Sequence, residues 1–213
     1  RRKSTLLNVI SGVYHPTKGQ VALGGLDLTW RTPYEIARLG VARTFQTSRI
    51  FRNLTVENHL ALAREAARGE FGIRSLFAKS PPALRGPNEL LDSTLHELLG
   101  GLDLTSRAVG LPHNMRRYLE IARCLAANPI LLLLDEPTAG LEPREAEHIG
   151  RILARFLAAA GTAAIVVDHR VPFVRDLCPR IAVLRHGSVL IDGPSDSVLT
   201  DRLVIDAYLG EAS

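Results

Sequence analysis

Cysteine is scarce in this sequence, which has two in 213 residues, Cys124 and Cys178, both in apolar surroundings. Such usage excludes a disulfide framework and a cysteine-based metal site, and it predicts buried thiols in a reducing compartment. Long apolar runs are also lacking. The stretches 130–134 and 157–167 both fall short of the ~20 residues that a membrane-spanning helix needs.

Targeting and low-complexity features are lacking as well. Arg1-Arg2-Lys3 precedes a few apolar residues, but no small-residue cleavage site follows, so a signal peptide is not predicted. No internal repeat is present. Lys and Arg exceed Asp and Glu by 26 − 22 = 4, and the pI is about 9.4, which permits a nucleic-acid or membrane partner without requiring one. The sequence has no pattern of aromatic and basic residues that would support nucleic-acid binding. Hydrophobic residues make up 46% of the sequence, which suffices for a globular core.

The most informative stretch is Ile130 to Leu134, an unbroken aliphatic run followed at once by Asp135, Glu136 and Pro137. A run of this kind predicts a strand buried on both faces of a parallel sheet. Ligands bind at the carboxyl ends of such strands, so we expect both acids at the edge of a site. A helix-capping acid after an ordinary core strand is the alternative interpretation.

Turn and capping residues divide the rest of the chain into an alternating α/β pattern. Helices are predicted after Lys3-Ser4-Thr5 as far as Gly12, from Thr32 to Gly40, from Thr55 through Ala63, over 90–99, over 115–127, from Pro143 to Gly161 and over 198–209. Besides 130–134, strands are predicted on either side of Gly24-Gly25 and over 41–45, 163–167, 181–184 and 188–191. The stretch 69–88 is predicted to be a loop.

Lys3-Ser4-Thr5 at a helix start has the form of the last part of a phosphate-binding loop, G-x-x-x-x-G-K-[ST]. In such loops backbone N–H groups surround the phosphates, the lysine reaches the β- and γ-phosphates, and the hydroxyl binds Mg²⁺. By itself, a plain basic helix start explains the three residues equally well.

Several motifs together resemble ABC-type ATPases in their order and spacing. They are Lys3-Ser4-Thr5, Gln46, Asp135-Glu136-Pro137, Ala139-Gly140-Leu141 and His169. Four stretches look most similar to the ATP-binding subunits of branched-chain amino-acid importers: 43–46, 119–123, 135–143 and 207–211. The resemblance implies a RecA-like P-loop NTPase fold, with a parallel-sheet core, an antiparallel β portion and an inserted helical subdomain. The core would comprise 1–47 and 128–213, and the helical subdomain 48–127.

The resemblance also implies roles for individual residues. Lys3, Ser4 and Thr5 would bind ATP, with Ser4 on Mg²⁺. Asp135 would hold the metal, and Glu136 would polarise the attacking water. Gln46 would sense the γ-phosphate and the metal, and His169 would contact the γ-phosphate. Expected partners are membrane permease subunits, a second ATPase subunit and, indirectly, an external solute-binding protein, with the chain peripheral on the inner face of the cell membrane and no nucleic acid bound.

The family's signature motif, Leu-Ser-Gly-Gly-Gln, aligns with Leu111-Pro112-His113-Asn114-Met115 and is degenerate here. In the family that motif presents N–H groups and a hydroxyl to the partner's γ-phosphate. Pro112 has neither group, and Asn114 stands in place of a glycine. His113 is a smaller departure, since aromatic residues occur at that position in similar importers. Arg170 follows His169, at a position where the family commonly has an acidic residue.

The resemblance further places the adenine-stacking strand, the strand leading into the phosphate loop and most of that loop before residue 1, with Arg2 at a glycine position. These departures predict weak ATP binding by the chain alone. Three alternatives to an active importer subunit stay open: a non-hydrolysing structural partner of an active paralogue, a truncated inactive fragment, and an ABC ATPase acting on nucleic acid, for which the basic pI is the only motive.

Overall fold

The computed structural model describes residues 2–45, 50–51, 53–68, 89–100 and 102–209. Its helices are α1 Arg2–Ile10, α2 Pro33–Arg38, α3 Val56–Arg68, α4 Glu89–Leu99, α5 His113–Ala126, α6 Pro143–Ala160, α7 Val171–Leu177, α8 Ser195–Leu199 and α9 Arg202–Leu209. Its strands are β1 Ala22–Leu23, β2 Leu26–Asp27, β3 Val41–Arg43, β4 Leu131–Asp135, β5 Ala163–Val167, β6 Arg180–Arg185 and β7 Ser188–Pro194. The predicted α/β class is confirmed.

The centre of the fold is a parallel sheet in the order β3-β4-β5. Every residue of β4 is buried, and its side chains alternate between two apolar clusters. Leu132 and Leu134 belong to one cluster, and Leu131 and Leu133 belong to the other. The predicted strand buried on both faces is therefore confirmed, although Ile130 lies before it and is 56% exposed.

The two clusters cover the two faces of the sheet with different helices. On the face of Leu132, residues from α3, α4, α5 and α6 form the larger cluster, with Phe156 of α6 only 1% exposed. On the other face, Leu7 of α1 and Ile36 of α2 form the smaller cluster. Helix α1 is thus packed beneath β4, and this packing sets the first residues of the helix beside the end of the strand.

Local signals placed several element ends correctly. Thr32 and Glu35 form the predicted capping box of α2, and Gly161 ends α6 in a left-handed conformation with φ 65°. Gly24 and Gly25, both with positive φ, turn β1 into β2 as predicted. Thr55 accepts a hydrogen bond from the Asn58 N–H at 3.3 Å and so caps α3.

The prediction of one terminal helix over 198–209 is wrong, because two helices occupy this region. Asp201 separates them: its Oδ1 accepts the Leu203 N–H at 2.8 Å and caps a new helix start. The predicted burial of β5 is also incorrect, since Ala163 is exposed and the rest of the strand is half-buried. In the described part of the chain β5 pairs only with β4, which leaves its other edge facing an apolar groove.

The expected burial of the thiols is correct for Cys124 and only partly so for Cys178. Burial raises the pKa of the Cys124 thiol to about 12, whereas Cys178 is half-buried. Within the described ranges, no helix combines the length and the apolar character that crossing a membrane requires.

Candidate functional site

The carboxylate of Asp135, at the end of β4, is the buried centre of the candidate site. Its Oδ1 accepts a hydrogen bond from Ser4 Oγ at 3.1 Å, and its Oδ2 accepts one from Arg43 Nη2 at 3.1 Å. The Asp135 side chain is 2% exposed and that of Arg43 is 6% exposed. Arg43 also donates to Ser11 Oγ at 2.7 Å. Residues 131 positions apart in sequence thus meet because α1 lies under β4.

The chemistry of this donor set suits a hard divalent cation. A serine hydroxyl and a carboxylate oxygen are within 3.1 Å of each other, and Mg²⁺ prefers oxygen ligands, commonly one or two carboxylates together with substrate phosphates. Arg43 bonds the other carboxylate oxygen, Oδ2, and so orients the group. Among the described residues no group of three or more His, Cys, Asp and Glu side chains is arranged for a metal.

Glu136 follows Asp135 in a left-handed turn, with φ 47°. This conformation is uncommon outside glycine and persists only where neighbouring groups hold it. The Glu136 N–H donates to the Val167 carbonyl at 2.7 Å, and its own carbonyl accepts Arg117 Nη2 at 3.1 Å. The chain therefore leaves β4 immediately after Asp135, with Glu136 half-buried at the edge of the sheet.

His169 lies beyond the end of β5, the strand next to β4. Because Asp135 is in register with Val167, His169 and Glu136 follow neighbouring parallel strands at the same end of the sheet. The His169 side chain is 71% exposed. The turn that carries it is held by buried Asp168, whose Oδ2 accepts hydrogen bonds from Thr138 N–H at 3.2 Å and Thr138 Oγ1 at 2.7 Å.

The other predicted site residues are placed less fully. Lys3 belongs to α1, but its side chain lies outside what the structure describes. Thr5 is on the same helix with an exposed side chain. Gln46 lies outside the described residues. Ser4, Asp135, Glu136 and His169 are therefore the predicted residues that the described structure assigns to one end of the sheet.

The segment aligned with the signature motif leads into α5. Leu111 is buried, and Pro112 occupies the N-cap position with no side-chain hydrogen bond to the helix. His113 packs against Gly140, whose φ is 75°, and a Cβ atom at Gly140 would collide with the imidazole ring. The start of α5 is thus in contact with the loop that follows Glu136.

Asn114 makes a second connection between the same two regions. Its Nδ2 donates to Glu145 Oε1 at 2.7 Å, and its Oδ1 accepts the Met115 N–H at 2.9 Å. The other carboxylate oxygen of Glu145 accepts the Glu142 N–H at 2.9 Å and caps α6. The side chain that replaces a glycine therefore ties α5 to the first turn of α6.

Sequence reasoning missed several groups that build this site. Arg117 and Glu120 form a buried ion pair on α5 at 2.7 Å, and an i, i+3 pair of opposite charge in an amphipathic helix was the available signal. Asp168 was not singled out, although it follows a strand directly. Arg170 was noted only as a departure, and its Nη2 donates to the Leu141 carbonyl at 2.9 Å.

Comparison with known proteins identifies the family of the chain. A family model described as "ABC transporter" matches residues 3–139. The high-affinity branched-chain amino acid transport ATP-binding protein LivG of Escherichia coli (strain K12) is 36% identical over 213 residues, covering 99% of this chain and 83% of LivG. The corresponding protein BraF of Pseudomonas aeruginosa is 33% identical with the same coverage.

Solved structures agree with the fold. The ADP conformation of MJ1267, an ATP-binding cassette of an ABC transporter, superposes with a TM-score of 0.76 and 31% identity, over 98% of this chain and 83% of that one. A nucleotide-free ATP-binding cassette from an ABC transporter gives a TM-score of 0.72 and 28% identity. The chain has the P-loop NTPase fold of these cassettes and belongs to the ABC transporter family, among relatives named as ATP-binding proteins of branched-chain amino-acid transport.

Proposed function

We propose that this chain is the ATP-binding subunit of an importer for branched-chain amino acids and that it couples ATP binding and hydrolysis to uptake. The observation that carries the proposal is the meeting of Ser4 and Asp135 at 3.1 Å, with Glu136 next in sequence. The similarity to LivG and BraF supplies the class of transported solute.

In this proposal Ser4 and Asp135 would hold Mg²⁺, which would supply charge to neutralise the phosphates of bound ATP. Arg43 holds Asp135 from the opposite oxygen, so that Oδ1 remains directed to Ser4. Glu136 accepts a proton from the attacking water and orients it. Phosphoryl transfer depends mainly on positioned charge, and a few fixed groups therefore suffice.

The remaining predicted residues complete the nucleotide site. Lys3 would contact the β- and γ-phosphates and Thr5 the nucleotide, whereas Gln46 and His169 would contact the γ-phosphate and Gln46 also the metal. The turn that carries His169 is braced by Asp168 against Thr138, so the histidine and the loop after Glu136 would move together. We place the subunit on the inner face of the membrane, bound to permease subunits and to a second ATPase subunit. An external solute-binding protein would deliver the solute to the permease.

The test is ATP turnover and nucleotide binding by the full-length protein with its permease, compared with Glu136→Gln. The proposal expects the wild type to hydrolyse ATP, and it expects the variant to bind nucleotide while losing turnover by at least roughly 100-fold. Uptake of labelled leucine in membrane vesicles reports the solute. Absence of nucleotide binding by the wild type would refute the proposal.

A second candidate function is a non-hydrolysing structural partner. Pro112 at the start of α5 has no N–H to offer a phosphate, and Asn114 is engaged by Glu145. This candidate expects nucleotide binding and co-purification with a permease without turnover, so the same assay separates the two functions.

A further inference from the structure

The ion pair between Arg117 and Glu120 lies on α5 inside the protein. Both side chains are 5% exposed, and Arg117 Nη1 is 2.7 Å from Glu120 Oε2. Burying two charges carries a desolvation penalty for each ion, and such a pair is tolerated only where further hydrogen bonds satisfy both groups. The additional partners of the pair therefore indicate what it does.

One set of partners is the main chain of Phe45. Its N–H donates to Glu120 Oε1 at 3.1 Å, and its carbonyl accepts Arg117 Nη1 at 3.2 Å. Strand β3 ends at Arg43, and Thr44 makes one further bond to the Leu133 carbonyl. The two side chains of α5 thus take the place of a neighbouring strand for Phe45, the residue directly before Gln46.

The other partner is the main chain of Glu136. Arg117 Nη2 donates to the Glu136 carbonyl at 3.1 Å, in the turn where φ is 47°. A non-glycine residue in this conformation is strained and requires neighbours that hold it there. Arg117 therefore bonds two separate chain segments through one planar group, an arrangement that its fixed fork of donors permits and a lysine could not reproduce.

We propose that Arg117 and Glu120 are a positioning pair that sets the main chain before Gln46 and the turn of Glu136 as one unit with α5. This inference rests on the proposed ATPase function for its effect on turnover. Since α5 begins at His113, in the segment aligned with the signature motif, any shift of that helix would move Phe45 and Glu136 together. The pair thereby links the start of α5 with the groups that face the γ-phosphate in the proposed function.

A purely structural role is the competing explanation, and four variants of the full-length protein distinguish the two. Arg117→Met removes the charge and all three bonds of the guanidinium while keeping an aliphatic side chain. Arg117→Lys retains the charge but has no planar fork. Glu120→Gln retains an acceptor for the Phe45 N–H and loses the charge, whereas Glu120→Ala loses both. Arg151→Met on α6 is the matched control, because Arg151 and Glu147 form an exposed pair with side chains 65% and 62% exposed.

Nucleotide affinity, kcat and the folded fraction are measured for each variant. For Arg117→Met we expect kcat per folded molecule to fall roughly 10- to 100-fold, because small misplacements of reacting groups have effects of this size. Nucleotide affinity should stay within about 3-fold, since the lost bonds position groups for the reaction and do not contact the nucleotide. Arg117→Lys should recover only part of the loss, and Arg151→Met should match the wild type.

Hydrogen exchange at the Phe45 amide gives a readout independent of turnover. Loss of its acceptor in Glu120→Ala should speed exchange by roughly 10-fold or more, while the amides of β4 keep their protection. If variants lose stability but retain kcat per folded molecule and Phe45 protection, the positioning role is wrong. If the wild type neither binds nor hydrolyses ATP, the proposed function fails, and the exchange experiment still decides whether the pair holds Phe45.

Discussion

Replacing Arg43 by methionine tests whether the buried carboxylate of Asp135 depends on its ion pair. The substitution removes the 3.1 Å bond to Asp135 and the 2.7 Å bond to Ser11, and it takes the charge of Arg43 away from a carboxylate that is 2% exposed. Removing one partner of a buried pair typically costs about 3–5 kcal/mol. For a chain of this size, that corresponds to a melting temperature lower by about 6 to 20 °C.

Urea and thermal unfolding at neutral pH measure this cost. Arg151→Met is the control, because exposed ion pairs contribute only about 0–1 kcal/mol. The double variant Arg43→Met/Asp135→Leu should recover most of the loss, since apolar residues of similar volume can replace a buried ion pair with little penalty. A cost below about 1 kcal/mol for Arg43→Met, or a double variant no more stable than the single one, would refute the reasoning.

Three further predictions concern the core, the pH dependence and the connection between α5 and α6. Phe156→Ala should lower the free energy of unfolding by about 3–5 kcal/mol in urea titrations, because the ring is 1% exposed. Burial lowers the pKa of His59, whose Nε2 accepts the Phe51 N–H at 3.0 Å. As the pH falls through 6.5, the ordinary pKa of histidine, His59 takes up a proton in the unfolded chain before it does so in the folded one. The free energy of unfolding should therefore decrease from that pH downward, and it should decrease less steeply in His59→Gln. Asn114→Ala should cost about 1.5–3 kcal/mol by thermal unfolding, because it removes a charge-assisted bond to Glu145.

Each of these has a distinct contrary result. A loss below about 1 kcal/mol for Phe156→Ala would mean that the core around it is loosely packed. If the free energy of unfolding depended on pH equally in the wild type and in His59→Gln, a group other than His59 would be responsible for the dependence. For Asn114 the informative control is a double variant with Glu145→Ala: if the two single costs simply add, the side chains do not interact.

The sequence alone predicted the parts of the fold that depend on local pattern. The aliphatic run Ile130 to Leu134 predicted the buried central strand, which begins at Leu131, because few other elements tolerate apolar side chains on both faces. Capping residues predicted the bounds of α2 and α6, since backbone groups at helix ends need partners nearby in the chain. The same local signals predicted one helix over 198–209, whereas the structure has two helices separated at Asp201.

The candidate site was predictable only in outline. Motif order singled out Ser4, Asp135, Glu136 and His169, and the register of β4 with β5 accounts for the last three lying at one end of the sheet. Their roles remain predictions. Arg117, Glu120 and Asp168 were missed because the groups that they hold in the site are distant from them in sequence, such as the main chains of Phe45 and Glu136 and the hydroxyl of Thr138.

By itself, the sequence determined which residues are apolar, where helices begin and end, and which family the motif order resembles. These properties depend on residue type and short spacing. Only the tertiary structure decided that Ser4 and Arg43 take opposite oxygens of Asp135, and that Arg117 holds Phe45 and Glu136 together. The physical reason is that burial of the charged groups makes each of them depend on partners that packing alone brings within hydrogen-bond distance.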